Sequence, residues 1–99
     1  MNPQMLTGTT GSGFEYAVNP KLKDDFRFAV AFAKLTGGEP QEQLTAGAEL
    51  VRLVLGKEGA ERLYRHVAEE DGTVPTARVM AELGEIVAAA GRKDLEVKN

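Results

Sequence analysis

The chain has 99 residues, no cysteine, and 12 lysines and arginines against 15 aspartates and glutamates, for a formal net charge of −3. That length fits one domain with a thin core and excludes a second. The composition rules out disulfides, zinc–thiolate sites and thiol nucleophiles, and it lacks the basic stripe from which nucleic-acid binding draws most of its affinity.

Residues 1–13 (MNPQMLTGTTGSG) are rich in Gly, Thr and Ser, offer little apolar surface to offset ordering entropy, and read as a disordered tail. They have neither the basic start nor the apolar run of a signal peptide, and no later stretch approaches a membrane span, so the protein is expected to stay in the cytoplasm. Residues 14–18 (FEYAV) partly alternate apolar and polar side chains, the pattern of a short strand or an extended arm. A lone strand makes no sheet, so this segment either lies against the helices or pairs with a second copy.

Residues 14–91 are expected to form a single all-α domain, a compact bundle of about four helices. Asn19 and Pro20 mark a helix start, with Asn as cap and Pro at the first helical position, and Gly37–Gly38 mark its end, giving helix 1 over 20–36. Pro40 opens helix 2 (40–55), with Glu39 and Glu42 near its positive end and Gly56 as its stop. Helix 3 (57–70) carries Ala60, Leu63, Tyr64 and Val67 on one stripe and ends at the Asp71-Gly72 turn. Thr73 caps helix 4 (74–91), whose Val79, Met80, Leu83, Ile86, Val87 and Ala90 form the cleanest amphipathic pattern. Residues 92–99 read as a charged, frayed tail.

Helix 1 is apolar on two sides. Leu22, Phe26, Ala29, Val30 and Ala33 make one stripe, assigned here to the core; Phe28, Phe32 and Leu35 make a second, with Phe28 about 200° from Phe26 at roughly 100° per residue. Either helix 1 is wrapped on all sides by its own chain, or the second stripe receives a partner's apolar helix. Helix 2 repeats the pattern: Leu44, Ala48, Val51 and Leu55 form the expected core stripe, and Leu50 and Val54 widen the apolar surface to one side. The candidate partner-binding residues are therefore Phe28, Phe32, Leu35, Leu50 and Val54.

No catalytic or metal constellation is legible, and no cofactor is implied. His66 is the only histidine; with Glu69 and Glu70 on the same helix end it reads as a solvated side chain, and the run Glu69–Asp71 as a solvated turn. Ser12, the only serine, has no His or Asp near it in a segment expected to be ordered. The glycines at 8, 11 and 13 lack the strand–loop–helix context of a phosphate-binding loop. A small helix-turn-helix DNA-binding regulator is the alternative the helix pattern permits, but its reading helix would present Glu58 and Glu61 ahead of Arg62, Arg65 and His66.

The order of Gly13-Phe14-Glu15-Tyr16, an acidic-flanked first helix, the junction Leu53-Val54-Leu55-Gly56-Lys57-Glu58, the segment Arg62-Leu63-Tyr64-Arg65-His66-Val67 and the turn Glu70-Asp71-Gly72-Thr73-Val74-Pro75 resembles tail assembly chaperones of long-tailed bacteriophages and prophages. The likeness runs on through Ala81-Glu82-Leu83-Gly84-Glu85-Ile86 and covers residues 14–90. It implies a non-enzymatic protein that coats the coiled-coil tape measure protein, keeps it soluble, helps recruit tail tube subunits and self-associates, with no nucleic-acid or membrane partner.

Overall fold

A computed structural model describes residues 4–98 in the order β1 (Leu6–Thr9), β2 (Glu15–Val18), a 3₁₀ turn (Leu22–Asp24), α1 (Phe26–Gly37), α2 (Pro40–Val67) and α3 (Thr76–Lys98). Of the two expected tails, residues 1–3 and 99 lie outside the described residues, as do the side chains from 93 onward. The architecture is α+β, three helices and a two-stranded antiparallel hairpin, which corrects the all-α four-helix bundle expected from periodicity.

The hairpin is the main departure. The Thr10 N–H donates to the Phe14 carbonyl and the Gly13 N–H to the Thr10 carbonyl, both at 2.9 Å, and Gly13 takes φ +94°. That is a type I turn followed by a left-handed residue, a conformation glycine adopts without penalty. Leu6 pairs with Val18 and Gly8 with Tyr16, so alternate residues face inward and Phe14, Tyr16 and Val18 are buried. The segment expected to be a disordered tail thus contributes a strand, its ordering cost offset by the apolar face of β2 that it covers and pairs with.

Helix 1 was expected from Pro20 but starts at Phe26. The Asn19 side chain does accept the Lys21 N–H at 2.9 Å, yet it opens only the 3₁₀ turn. Asp25 then leaves helical geometry (φ −80°, ψ 123°) and caps α1 by accepting the Arg27 N–H at 2.9 Å, while its second oxygen takes the Arg27 guanidinium at 2.7 Å. Side-chain and backbone hydrogen bonds from Arg27 hold the Asp25 carboxyl down to about 2, from an ordinary 3.8. The same carboxylate pushes the Arg27 pKa up.

At the start of α2, Pro40 occupies the first turn and Glu39 and Glu42 form a reciprocal capping box, Glu42 accepting the Glu39 N–H at 3.1 Å. Gly56 breaks the helical path as expected: its φ of 77° and ψ of 171° divide α2 into two helical arms that meet at a kink. The 69–76 turn uses its acids structurally, since Asp71 accepts the Thr73 N–H at 2.8 Å, a bond that lowers the Asp71 pKa. The third helix begins at Thr76 rather than near Val74 and continues past Gly91 to Lys98, where a frayed tail was expected.

The core is built from the inner face of β2, the facing sides of α2 and α3, and Ala31 of α1, with Leu50, Val51, Leu63, Leu83 and Ile86 its largest fully buried side chains. Each contributes about 1.5–3 kcal/mol of burial free energy. The helices approach closely at Gly47, where a Cβ would lie 2.8 Å from the Met80 sulfur. This packing reverses part of each stripe assignment, although Val51 is core and Leu22 and Leu55 pack against it as expected. On α1 the face assigned to the core is outermost, with Phe26 80 % exposed and Ala29, Val30 and Ala33 exposed, while Ala31 is buried and Phe28 and Leu35 pack inward. On α2, Leu44 is 59 % exposed and Ala48 exposed, whereas Leu50 and Val54 are 1 % and 4 % exposed. Leu50 and Val54 are core residues, and of the two only Val54 borders an open cleft.

Candidate partner-binding cleft

At the open end of the hairpin lies an apolar cleft of about 150 Å³. Leu6 of β1 and Val18 of β2, opposite each other in the register, form one wall with Pro20. Leu22 of the 3₁₀ turn and Phe28 of α1 form the second, and Val87, Ala90 and Gly91 of α3 the third. Val54 closes the floor one residue-pair before the Gly56 kink. Asn19 and Lys23 are the polar members of the lining. The Asp25 cap matters to this geometry: it restarts the helix so that Phe28 falls on the cleft side, and a helix running unbroken from Pro20 would have set a different phase.

Of the five residues proposed from the sequence, the structure brings Phe28 and Val54 into this cleft. Phe32, 42 % exposed, stacks on Phe28 with ring centroids 5.9 Å apart and planes at 22°, and extends the apolar wall out to solvent. Leu35 sits apart, packed near Gly47 of α2, and Leu50 is core. Sequence reasoning missed Leu6, Val18, Leu22, Val87 and Ala90. The spacing of Gly11 and Gly13 before an alternating FEYAV segment is the signal that would have found the hairpin, since three-residue loops with a terminal glycine join antiparallel strands.

A polar cluster fastens the other end of the hairpin. One Glu82 oxygen, Oε1, accepts the Thr10 hydroxyl at 2.8 Å and the Ser12 hydroxyl at 2.7 Å, and the Glu85 carboxylate accepts the Gly11 N–H at 2.8 Å. Ser12 Oγ lies 2.9 Å from His66 Nε2. Serine, histidine and an acid therefore meet, a juxtaposition that only the folding of the hairpin onto α2 and α3 creates. The wiring is not that of a nucleophile. A triad needs the histidine nitrogen to accept the serine proton and the acid to hold the other ring nitrogen. Here the Glu82 carboxylate accepts from the Ser12 hydroxyl instead of from the ring of His66.

Two of the three basic residues that a DNA-reading helix would offer, Arg62 and His66, are engaged with the hairpin. The Arg62 guanidinium lies 5.3 Å from the Phe14 ring centroid and donates to the Glu15 carbonyl at 3.3 Å, and the His66 ring packs 5.4 Å from Phe14. Among the described residues, no three His, Asp or Glu side chains converge as metal ligands, and no helix is long and apolar enough to cross a membrane. No family model matches the chain, and neither a curated protein nor a solved structure matches it.

Proposed function

We propose that this chain is a non-enzymatic chaperone of amphipathic helices, of the kind that long-tailed phages use to keep the tape measure protein soluble in the host cytoplasm and bring tail tube subunits to it. The resemblance of residues 14–90 to those chaperones selects the phage tail. The observation that carries the binding role is the cleft walled by Phe28, Leu22, Val87 and Ala90, with Phe32 stacked at its lip. A cleft of about 150 Å³ accommodates one large apolar side chain, and Phe32 supplies the neighbouring contact that a helix needs for its next apolar residue three or four positions on.

Co-expression with a candidate tape measure protein that is insoluble alone, followed by size exclusion with light scattering, tests the proposal. Co-elution is the expected result. Phe32→Ser should weaken the complex by about 1–2 kcal/mol, roughly tenfold in Kd, while leaving the melting temperature of the isolated chain within a few degrees. A tape measure protein that stays in the pellet, or a complex indifferent to Phe32→Ser, would remove the basis of the reading.

A further inference from the structure

Resting on the chaperone reading above, we propose that the cleft selects its guest: a leucine- or phenylalanine-sized side chain on a partner helix that carries a carboxylate one turn away. Size limits the occupant. Pockets that hold free cofactors and drug-sized ligands run to roughly 300–1,000 Å³, whereas a cleft of about 150 Å³ takes a single large side chain. Polarity limits it further. The inner lining is Leu6, Val18, Leu22, Phe28, Val54 and Val87, where a guest tyrosine or tryptophan would leave its O–H or N–H without a partner.

Charge selects the neighbour of the anchor. Among the described residues, Lys23 is the one charged member of the lining, and no acid joins it. Lys23 is exposed, so its aliphatic stem adds to the apolar wall while its ammonium stays in water at the mouth. An ammonium has three N–H donors, so Lys23 can take a guest carboxylate and keep a contact within its own chain. Asn19, the other polar member, accepts the Lys21 N–H through Oδ1 at 2.9 Å, which leaves its amide N–H groups to donate. Both groups favour an anion on the guest, and a guest cation would meet Lys23 instead. On a helix, side chains three or four positions apart have Cβ atoms about 5–6 Å from each other, so one can fill the cleft while the other reaches its rim.

Fluorescein-labelled synthetic helices titrated with the full chain test the preference. The peptides share one leucine anchor and differ only one turn from it, where they carry Glu, Gln or Lys. Anisotropy should rank their affinities in that order, with about fivefold between the Glu and Lys peptides, and raising the salt to about 0.5 M should narrow the gap. Lys23→Glu should invert the order, which a general loss of fold would not do. Amide shifts at Phe28, Val87 and Ala90 should move with each peptide. Equal affinities, or an order that survives Lys23→Glu, overturn the acid preference while the chaperone reading stands. Unmoved amides at those three positions overturn the cleft as the binding site. If octanoate displaces the Glu peptide more effectively than the same peptide unlabelled, the occupant is a free fatty acid and the helical guest is wrong. Peptides ranked as expected, beside a tape measure protein that stays in the pellet, support the cleft's preference and sink the phage-tail role alone.

Discussion

Phe26 and Phe28 stand two residues apart on one helix and live in opposite surroundings. Phe28 walls an apolar cleft and packs on the core, while Phe26 is 80 % exposed. Both faces carry apolar residues, Val30 with alanines on one and Ala31, Phe32 and Leu35 on the other, so local composition does not separate them. What separates them is which face the hairpin and α2 cover. Apolar character on a helix therefore marks a surface that something covers, without saying whether the covering group belongs to the same chain.

Substitutions on the two faces sharpen that contrast. The largest effect is expected in α2, where the same reversal occurs: Leu50→Ala should cost about 2–5 kcal/mol by urea denaturation, and Leu44→Ala, six residues earlier, less than about 0.5 kcal/mol. Equal losses at the two sites would mean that the assigned faces are wrong. On α1, Phe28→Ala should cost about 2–3 kcal/mol and Phe26→Ala should stay within about 0.5 kcal/mol of wild type in dilute solution. Glu82→Ala removes the acceptor of two hydroxyls, one of them buried, and should cost about 1–3 kcal/mol. Hydrogen exchange should then speed up in the hairpin amides before the helix amides, and uniform acceleration would argue that the hairpin is not a separately fastened unit.

The smallest effect concerns the α1 cap and depends on pH. The Asp25 pKa is lower folded, at about 2, than its ordinary 3.8, so the unfolded chain binds its proton first as pH falls. Its contribution is complete above pH 3.8 and is lost as pH drops from there through about 2. Asp25→Asn keeps a capping side chain and removes the titration, so thermal melts of the variant should lose less stability than wild type across that interval. Parallel pH profiles for the two proteins would contradict the assigned cap.

Much of the helical punctuation was legible because its causes are local. Pro40 with Glu39 and Glu42, the pair Gly37–Gly38, and Asp71-Gly72 all act through contacts within a few residues. Gly56 is a break because glycine takes its φ of 77° without penalty. The hairpin was hidden because β1 is Leu-Thr-Gly-Thr, with one large apolar residue, and it is fixed by a partner strand and by acids far along the chain. The cleft was legible only in part, since Phe28 and Val54 stand out by periodicity while Leu6, Val18 and Val87 become neighbours only after the hairpin folds onto α3.

The fastening of the hairpin also sets an order of events during synthesis. Gly11 and Glu85 are separated by 74 positions, so the first-made part of the domain waits for almost the last-made part. At about 5–20 residues per second that wait is roughly 4–15 seconds, during which Phe14, Tyr16 and Val18 have no helix pair to cover them. Local helices can form within microseconds of emerging, whereas closure over this span is deferred. The polar, glycine-rich composition of β1 and its turn keeps the waiting segment soluble, and the strand is completed only when α3 arrives to hold it.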